Sequence, residues 1–425
     1  MKAFIKTYGC QMNKYTSLVY REELSQLGYE MTENENEADV ILLNTCSVRK
    51  HAEDRALGRL NSLLSLKRKN PALKIGIVGC MAERLGNKLF EISPHLDFII
   101  SPNNIGMIKE AIRGKSYKAL SDEPSFPCQK GIKAFVPVSF GCSNYCSYCV
   151  VPYTTGCLKS RKKDEVIREC EFLLKNGIKE ITLLGQDITS YGRDLNDGNL
   201  ASILTSVSKM GILRIRFITS HPLGMNEEMI GAIANNKNIC PSIHIPLQSG
   251  SNRILSLMNR GYEIEYYITL VEKIRKSLEE PSITTDIIVG FPTESKDDFS
   301  KTQEALKAIE FDSAFLFKYS PREGTGAYKL KEDLSEKEKI ERLNHLIKIQ
   351  NEISFKKNKC LIGKEYNVLV EGKNLKDKKF LIGRTDTDKM VVFKGEPSLI
   401  GKIIRVKIED ASTYTLKGEG YGLPT

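Results

Sequence analysis

The feature that most constrains the fold is an alternation of short apolar runs with segments of helical spacing, starting at the N-terminus. Helical stretches such as 17–27 and 52–69 separate four strand-like runs: "AFIKTYG", "DVILLNT", "KIGIVG" and "DFIIS". Strands that alternate with helices pack as a parallel sheet with helices on both faces. The pattern predicts a doubly wound α/β domain over residues 1–117.

The middle of the chain repeats the alternation with more units. Helical segments such as 164–175 and 262–277 separate six strand-like runs: "AFVPVSF", "EITLLG", "LRIRFITS", "PSIHIPLQ", "SITTDIIVG" and "DSAFLFKYS". Six β/α units predict a parallel sheet curved into a partial or complete (β/α) barrel over residues 128–357, with its chemistry at the carboxyl ends of the strands. Residues 115–130 contain two prolines and no periodicity, and are predicted to be a linker.

The last part of the chain changes to short strands separated by glycine and charged turns. Its five runs are "YNVLVEG", "KKFLIGRT", "KMVVFKG", "KIIRVKIEDA" and "TYTLKGEGYG". They predict a small β-barrel over residues 358–425, of a size and type that often holds nucleic acid. A barrel that only stabilises the chain is the alternative.

Length and composition indicate a globular chain with more than one domain, since 425 residues exceed what one hydrophobic core usually supports. No apolar run approaches the length of a membrane span and the N-terminus has no signal-peptide pattern, so we expect a cytoplasmic protein without a membrane segment. The formal net charge of +10 is compatible with a polyanionic partner and equally with a lysine-rich surface. Eleven cysteines in such a chain favour metal ligation over disulfides.

Three cysteines follow three different strand-like runs of the first domain. Cys10, Cys46 and Cys80 stand in "TYGC", "LNTC" and "IVGC". The carboxyl ends of parallel strands share one edge of a sheet, where ligands bind. One such cysteine is usually a small buried hydrophobe, but three in one domain predict a metal or cluster site.

A second triad, Cys142, Cys146 and Cys149, has the spacing C-x3-C-x2-C and follows the first strand of the middle region. Three cysteines can ligate three irons of a four-iron cluster and leave the fourth iron open. A cysteine-type zinc site needs a fourth ligand, for which the nearest candidate is Cys157. The spacing therefore favours an open cluster.

The chain resembles the radical S-adenosylmethionine (SAM) superfamily, and within it the methylthiotransferase family. The residues that carry the resemblance are the second triad with Tyr148 before its last cysteine, and the stretches "YGCQMN", "NTCSVR", "VGCMAER" and "VVPYTTG" followed by Ser160 and Arg161. The resemblance covers essentially the whole chain and implies a radical SAM core whose open iron binds SAM, together with a C-terminal TRAM domain. Reductive cleavage of SAM by such a core yields a 5′-deoxyadenosyl radical.

The resemblance also implies the cofactors and their residues. By it, Cys142, Cys146 and Cys149 hold the radical-generating [4Fe-4S] cluster, while Cys10, Cys46 and Cys80 hold an auxiliary [4Fe-4S] cluster whose open iron carries the sulfur to be delivered. Three further residues at strand ends or in strands are expected to contact SAM, although a turn or a structural hydrogen bond explains them equally well: Gly185, Gln186 and Asp286.

Within the family, the chain is most similar to the MiaB-type tRNA methylthiotransferases, through stretches such as "KTYGCQMN", "FITSHP", "IHIPLQSGSNRIL" and "FDSAFLFKYSPREGT". This similarity implies methylthiolation of carbon 2 of prenylated adenosine beside the anticodon. The implied partners are the anticodon stem-loop of tRNA, an electron donor such as flavodoxin or ferredoxin, and a sulfur or cluster donor, with the enzyme as a monomer. The alternatives are the same chemistry on threonylcarbamoyl adenosine or on a ribosomal-protein aspartate, and a non-catalytic iron–sulfur protein that binds RNA or transfers electrons.

Two places depart from the family pattern. Thr155 and Cys157 stand in "TTGC" where the family usually has an Arg and a Glu, and "GQDITSYG" replaces the usual "GQNVNSYG". These departures put local substrate contacts near the radical site in doubt, but not the clusters.

The remaining candidates have weaker signals. Arg161, Lys162 and Lys163 form a basic run that could meet phosphates, with a solvated helix start as the default interpretation. His221 and His244 are interpreted as positioning or core histidines. Four cysteines fit no motif and are interpreted as free thiols: Cys128, Cys170, Cys240 and Cys360.

Overall fold

The computed structural model describes residues 1–47, 50–113, 126–195 and 198–421. Its first region is a five-stranded parallel sheet with the strand order β2-β1-β3-β4-β5. The elements are β1 (Lys2–Thr7), α1 (Gln11–Gln26), β2 (Glu30–Met31), β3 (Val40–Thr45), α2 (Lys50–Lys69), β4 (Lys74–Gly79), α3 (Cys80–Leu85), α4 (Lys88–Ile92), β5 (Phe98–Ile100) and α5 (Ile108–Arg113).

The central strand β3 shows why this sheet is covered on both sides. All six of its residues are buried, as expected for a strand in the middle of a parallel sheet. Ile41 and Leu43 belong to an apolar cluster with residues of α2, whereas Val40 and Leu42 belong to a second cluster with residues of α1 and α5. The predicted doubly wound fold is thus confirmed.

Helix α1 begins at Gln11, earlier than the predicted start at residue 17. Its first turn carries polar residues, so the apolar period that signals a helix is not visible there. Asn13 in this turn is nevertheless buried, because its amide donates to Asn44 Oδ1 at 2.9 Å and to the Thr45 carbonyl at 3.1 Å. Tertiary hydrogen bonds therefore place a polar turn inside the domain.

The middle region contains the six predicted parallel strands in sequential order. Two three-stranded ladders, β6-β9-β10 and β11-β12-β13, are joined by a bridge from Ile215 to Ile239. The elements are β6 (Lys133–Pro137), β7 (Ser139–Phe140), α6 (Val151–Thr154), β8 (Lys159–Ser160), α7 (Lys163–Lys175), β9 (Glu180–Leu184), α8 (Leu200–Ser208), β10 (Arg214–Phe217), α9 (Glu227–Asn235), β11 (Ser242–His244), α10 (Asn252–Leu257), α11 (Ile264–Ser277), β12 (Ser282–Val289), α12 (Lys296–Ile309) and β13 (Ser313–Lys318).

Among the described residues no ladder joins β6 to β13, so the six strands form an open, partial barrel. The first predicted run is split, because β7 leaves the parallel sheet and pairs antiparallel with β8. One large apolar core fills this region. Of the predicted linker, residues 115–125 lie outside the described residues, as does the boundary at 117, and residues 126–130 form neither helix nor strand.

The last region is a closed five-stranded barrel with the order β14-β15-β16-β18-β17, preceded by a long helix. Its elements are α13 (Glu336–Lys359), β14 (Glu365–Lys373), β15 (Phe380–Thr385), β16 (Met390–Lys394), β17 (Ile403–Ala411) and β18 (Thr415–Gly420). The small β-barrel predicted here is confirmed. In the part of the chain that the structure describes, no helix is both long and apolar enough to cross a membrane.

Two buried arginines of β10 fix this terminal barrel against the middle region. Arg214 Nη2 donates to the Asn367 carbonyl at 2.7 Å. Arg216 donates to the carbonyls of Thr385 at 2.7 Å and Asp386 at 2.8 Å. Because buried guanidinium groups need these partners, the barrel has a defined orientation on the core.

Candidate active site

The structure brings Cys10, Cys46 and Cys80 together at the carboxyl edge of the first sheet. They follow β1, β3 and β4, which are neighbours in that sheet. A hydrogen bond with Cys46 lowers the pKa of the Cys10 thiol to about 6. Burial raises the pKa of Cys80, and a charge on Cys10 raises it further. The three sulfurs therefore share one electrostatic environment.

Two glycines allow this close approach. Gly9 has a φ of +139°, and a Cβ atom there would lie 2.6 Å from Cys46 Cβ. Gly79 has a φ of +94°, and a Cβ atom there would lie 2.5 Å from the Thr45 carbonyl oxygen. Only glycine fits both the backbone conformation and the space, so the loops that carry the cysteines are built to pack against one another.

The second triad lies in the loop after β6. Burial raises the pKa of Cys142 to about 11 and that of Cys149 to about 12. Thiols with such pKa values are neutral by themselves, whereas cluster irons bind thiolates and supply the positive charge that stabilises them. A loop with three cysteines that are buried or partly buried has the chemistry that an iron–sulfur cluster requires.

Within the described ranges, no group of three or more His, Cys, Asp or Glu side chains is arranged to hold a single metal ion. The assignment of the two triads to clusters rests on their motifs and on the chemistry of their thiols.

Arg260 and Asp187, which belong to no cysteine motif, hold the loop of the second triad. Arg260 is buried and donates from Nη1 to Cys146 Sγ at 3.2 Å and from Nη2 to the Pro246 carbonyl at 3.0 Å. Asp187 accepts from Asn144 Nδ2 at 2.8 Å and from Thr189 Oγ1 at 2.6 Å. The sequence did contain a signal for Asp187, because this acidic residue lies just beyond the end of β9 and is one of the departures from the family pattern.

The expected SAM-contacting residues at the end of β9 are closely packed. A Cβ atom at Gly185 would lie 2.9 Å from Ser139 Oγ and 3.0 Å from Ile188 Cα, so this turn requires glycine. Gln186 Oε1 is buried and has no hydrogen-bond partner within the described residues. An orphaned buried acceptor is uncommon and is suited to a donor such as the amino group of SAM.

Asp286 has a partner and faces a cavity. Its Oδ2 lies 3.4 Å from His244 Nε2, and His244 Nδ1 lies 3.0 Å from Thr284 Oγ1. The sequence suggested a buried strand position, but the side chain is 28% exposed because alternate residues of β12 point into the open barrel. His244 is therefore a positioning residue at the cavity wall.

His221 is a structural histidine. Its Nδ1 accepts from the Leu223 amide at 3.4 Å, and its ring makes an edge contact with Tyr262. Burial lowers the pKa of His221 to about 4, so the ring is neutral at physiological pH. This agrees with the interpretation from the sequence.

Arg161 is neither a phosphate ligand nor a solvated helix start. Its Nη1 pairs with Glu169 Oε2 at 2.6 Å and donates to the Pro137 carbonyl at 2.8 Å. Both side chains of the pair are largely buried. The neighbouring Lys162 and Lys163 lie at the start of α7.

The family departures lie beside both triads. Thr155 Oγ1 is 3.9 Å from Cys80 Sγ, which puts the loop of the radical triad in contact with the first domain. Cys157 is exposed, and its Sγ lies 3.2 Å from Tyr145 OH. Among the four cysteines that fit no motif, Cys170 and Cys240 are buried, whereas Cys128 and Cys360 are exposed.

A cavity of about 1100 Å³ has residues of all three regions in its wall. Its wall includes Cys10 of the first triad and Cys149 of the second, and it also includes Asp286. Phe315 of β13 lines it with 52% of its surface exposed and contacts the His244 ring at 5.8 Å between centroids. The terminal barrel completes the wall with residues such as Arg384, Lys389, Met390 and Tyr414.

Comparisons with known proteins give the same three parts. Residues 2–101 match the family described as Uncharacterized protein family UPF0004, residues 136–306 match the Radical SAM superfamily, and residues 359–420 match the TRAM domain. The chain is 41% identical to the tRNA-2-methylthio-N(6)-dimethylallyladenosine synthase of Carboxydothermus hydrogenoformans, over 98% of each chain. It is 42% identical to the enzyme of that name from Bacillus subtilis, over 99% of this chain and 86% of the relative. The chain belongs to the tRNA-2-methylthio-N(6)-dimethylallyladenosine synthase family.

Membership of the synthase family confirms the predicted family and its radical SAM core. Solved structures agree on the fold alone. The radical S-adenosylmethionine methyltransferase TsrM from Kitasatospora setae superposes with a TM-score of 0.61 at 12% identity, covering 77% of each chain. The cobalamin-dependent S-adenosylmethionine radical enzyme OxsB superposes with a TM-score of 0.50 at 14% identity, covering 80% of this chain and 56% of that one.

Proposed function

We infer that this chain is a radical SAM methylthiotransferase that adds a methylthio group to carbon 2 of prenylated adenosine beside the anticodon of tRNA. Relatives that share more than 40% of its residues over nearly the whole chain have this activity in their names. The observation that carries the inference is that one cysteine of each triad, Cys10 and Cys149, lines the same cavity. A sulfur donor and a radical source must both reach the same base, and this arrangement permits it.

We assign the cofactor ligands accordingly. Two [4Fe-4S] clusters together with SAM supply, when bound, the carbon radical that removes the inert hydrogen at carbon 2 and the methylthio group that replaces it. We propose that Cys142, Cys146 and Cys149 hold the SAM-binding cluster. We also propose that the auxiliary cluster is held by the strand-end triad of Cys10, Cys46 and Cys80.

Near the radical cluster, the protein's own residues orient the cluster loop and SAM and exclude water. Arg260 donates to Cys146 Sγ at 3.2 Å and thereby stabilises a thiolate at that position. Asp187 fixes the loop through Asn144. Gln186 offers a buried acceptor to the amino group of SAM, and Asp286 is held toward the cavity by His244.

The substrate base must leave the RNA stack so that its carbon 2 can reach the carbon radical. We propose that the adenine enters the cavity and stacks on Phe315, the half-exposed ring in its wall. Phe315 faces Asp286 across the β12–β13 ladder, so an aromatic face and an acceptor stand side by side. The prenyl group then finds an apolar environment beside that ring.

We propose that the terminal barrel takes part in docking the tRNA. It is a TRAM domain fixed to the core by two buried arginines, and its Arg384 and Lys389 line the cavity. We propose that Arg384, the more exposed of the two, meets the RNA backbone around the extruded base, whereas Lys389 is held by Asp312 at 2.9 Å. We further propose domain limits at 1–117, 128–357 and 358–425, a monomer in the cytoplasm, an electron donor such as flavodoxin or ferredoxin, and a separate sulfur or cluster donor.

The decisive experiment is anaerobic. Reconstituted protein is mixed with reductant, sulfide, SAM and tRNA that carries prenylated adenosine, and the digested nucleosides are weighed by mass spectrometry. We expect a methylthio adduct on the prenylated adenosine. Formation of 5′-deoxyadenosine without this adduct would refute the substrate and direct the test to threonylcarbamoylated tRNA, whereas inert clusters would favour a non-catalytic iron–sulfur protein.

A further inference from the structure

A buried carboxylate joins the first domain to the radical core. Glu53 of α2 is 3% exposed and lies between two arginines. Arg84 of α3 pairs with its Oε1, and Arg322, in the segment after β13, pairs with its Oε2 at 3.0 Å. Arg322 is itself only 6% exposed, so this ion pair crosses the domain boundary out of contact with solvent.

Both arginines adjoin the auxiliary triad. Arg84 lies in the helix that Cys80 begins, and its Nε donates at 3.3 Å to the Oγ of Ser47, the residue after Cys46. Arg322 lines the cavity that Cys10 also lines. Arg322 thus extends from the core to the auxiliary site, as Thr155 does beside Cys80.

Arg322 brings a positive charge to the wall of the auxiliary site. Its side chain is held by Glu53 and lines the cavity that Cys10 also lines. A four-iron core with three thiolate ligands is an anion overall, and a cation held beside it favours its reduced form.

We propose that Arg322 is a positioning residue that, held by Glu53, fixes the auxiliary site against the radical core and keeps a cationic group beside it. The proposal rests on the assignment of the strand-end triad to a cluster. Its consequence is that the residue acts on the distance between the two sites and on the reduction potential of the auxiliary cluster, not on the radical cluster itself.

The chain offers a matched control for this contact. Glu323, the next residue, pairs with Lys88 at 3.6 Å across the same boundary, but both side chains are exposed. An exposed pair of this kind contributes little. Glu323→Gln therefore removes a boundary ion pair without touching the buried one.

The test uses the full chain with both clusters reconstituted, as wild type, Arg322→Met, Arg322→Lys and Glu323→Gln. The auxiliary cluster's potential is measured by a redox titration followed by electron paramagnetic resonance, and the magnetic coupling between the clusters by pulsed resonance. The ratio of methylthio product to 5′-deoxyadenosine is measured in parallel.

For Arg322→Met we expect a more negative auxiliary potential, because a nearby cation favours the reduced cluster. We also expect a weaker or more widely distributed coupling and at least a tenfold lower product ratio. Arg322→Lys keeps the charge, so its potential stays near wild type while its coupling broadens. Glu323→Gln should match wild type in all three.

An unchanged potential and coupling in Arg322→Met would overturn the proposal, as would equal effects in Glu323→Gln. If Arg322→Met does not fold, the test uses Arg322→Lys. A magnetic coupling between the clusters that equals the wild-type value in Arg322→Lys would then contradict the positioning role. The potential is measured without tRNA, so a wild-type protein that makes no methylthio product would refute the proposed function and leave this test intact.

Discussion

Replacing Arg216 by alanine should release the terminal barrel from the core. The substitution removes donors from two barrel carbonyls and an ion-pair partner from buried Glu180, which keeps Lys133 at 3.4 Å and the nearby charge of Arg214. Burial tends to raise the pKa of Glu180, but Arg216 and Lys133 hold it below its usual range, so the lost pair matters at neutral pH.

The size of the effect follows from these contacts. Breaking a buried ion pair costs about 3–5 kcal/mol, and a buried carbonyl left without a donor costs about 1–3 kcal/mol. This second cost concerns the Asp386 carbonyl, because the Thr385 carbonyl keeps the Asp388 amide as a donor at 3.1 Å. These costs overlap, and Arg216 Nε lies 3.0 Å from Glu180 Oε2 without hydrogen-bond alignment. We therefore expect a loss of about 3 kcal/mol, from the low end of the ion-pair range.

The assay is equilibrium urea unfolding followed by circular dichroism. With a urea dependence of about 3 kcal/mol per molar, the loss lowers the midpoint by about 1 M. Midpoints are compared because a chain of several domains has no single unfolding free energy. Methylthio product should fall with the midpoint, while 5′-deoxyadenosine formation without tRNA remains.

Arg405→Ala is the control, since Arg405 pairs at 3.4 Å with Glu365 on the exposed face of the same barrel. We expect its effect to stay within about 0.5 kcal/mol. A midpoint for Arg216→Ala equal to that of Arg405→Ala would refute the account of barrel docking.

Three further predictions concern the site. Burial lowers the pKa of His221 to about 4, below the unfolded value of about 6.5. The free energy of unfolding of the wild type therefore falls by up to about 3 kcal/mol as the pH drops from about 6.5 to about 4. His221→Asn should make this fall smaller in acid unfolding curves. Phe315→Ala should lower product formation at least tenfold by raising the KM for tRNA, with Phe315→Tyr near wild type; an unchanged KM would contradict stacking. Cys46→Ala should halve the iron content and abolish methylthiolation while 5′-deoxyadenosine still forms, and equal loss of both would contradict an independent auxiliary site.

The sequence could predict both triads because each has a local signature. A cysteine directly after a strand is placed at the sheet edge by the rules of parallel sheets, and C-x3-C-x2-C lies within one loop. The helix start at Gln11 was missed because the polar residues of that turn are held by Asn44 and Thr45, which are distant in sequence.

The roles of the charged residues had no such signature. Arg161 looked like part of a solvated basic run, yet its pairing with Glu169 makes it structural. Asp187 and Arg260 hold the radical loop from positions 43 and 114 residues away from their partners. Contacts at this separation depend on how the strands are ordered in space.

The sequence by itself determined the three-part architecture, the cysteine motifs and the family, since these depend on periodicity, spacing and local turns. Only the tertiary structure decided that a cysteine of each triad lines one cavity, that the terminal barrel forms part of its wall, and that Glu53 receives arginines from two domains. The physical reason is that burial pairs charges and cavity walls across the chain, and the energy of such pairs depends on three-dimensional proximity, which a local pattern does not record.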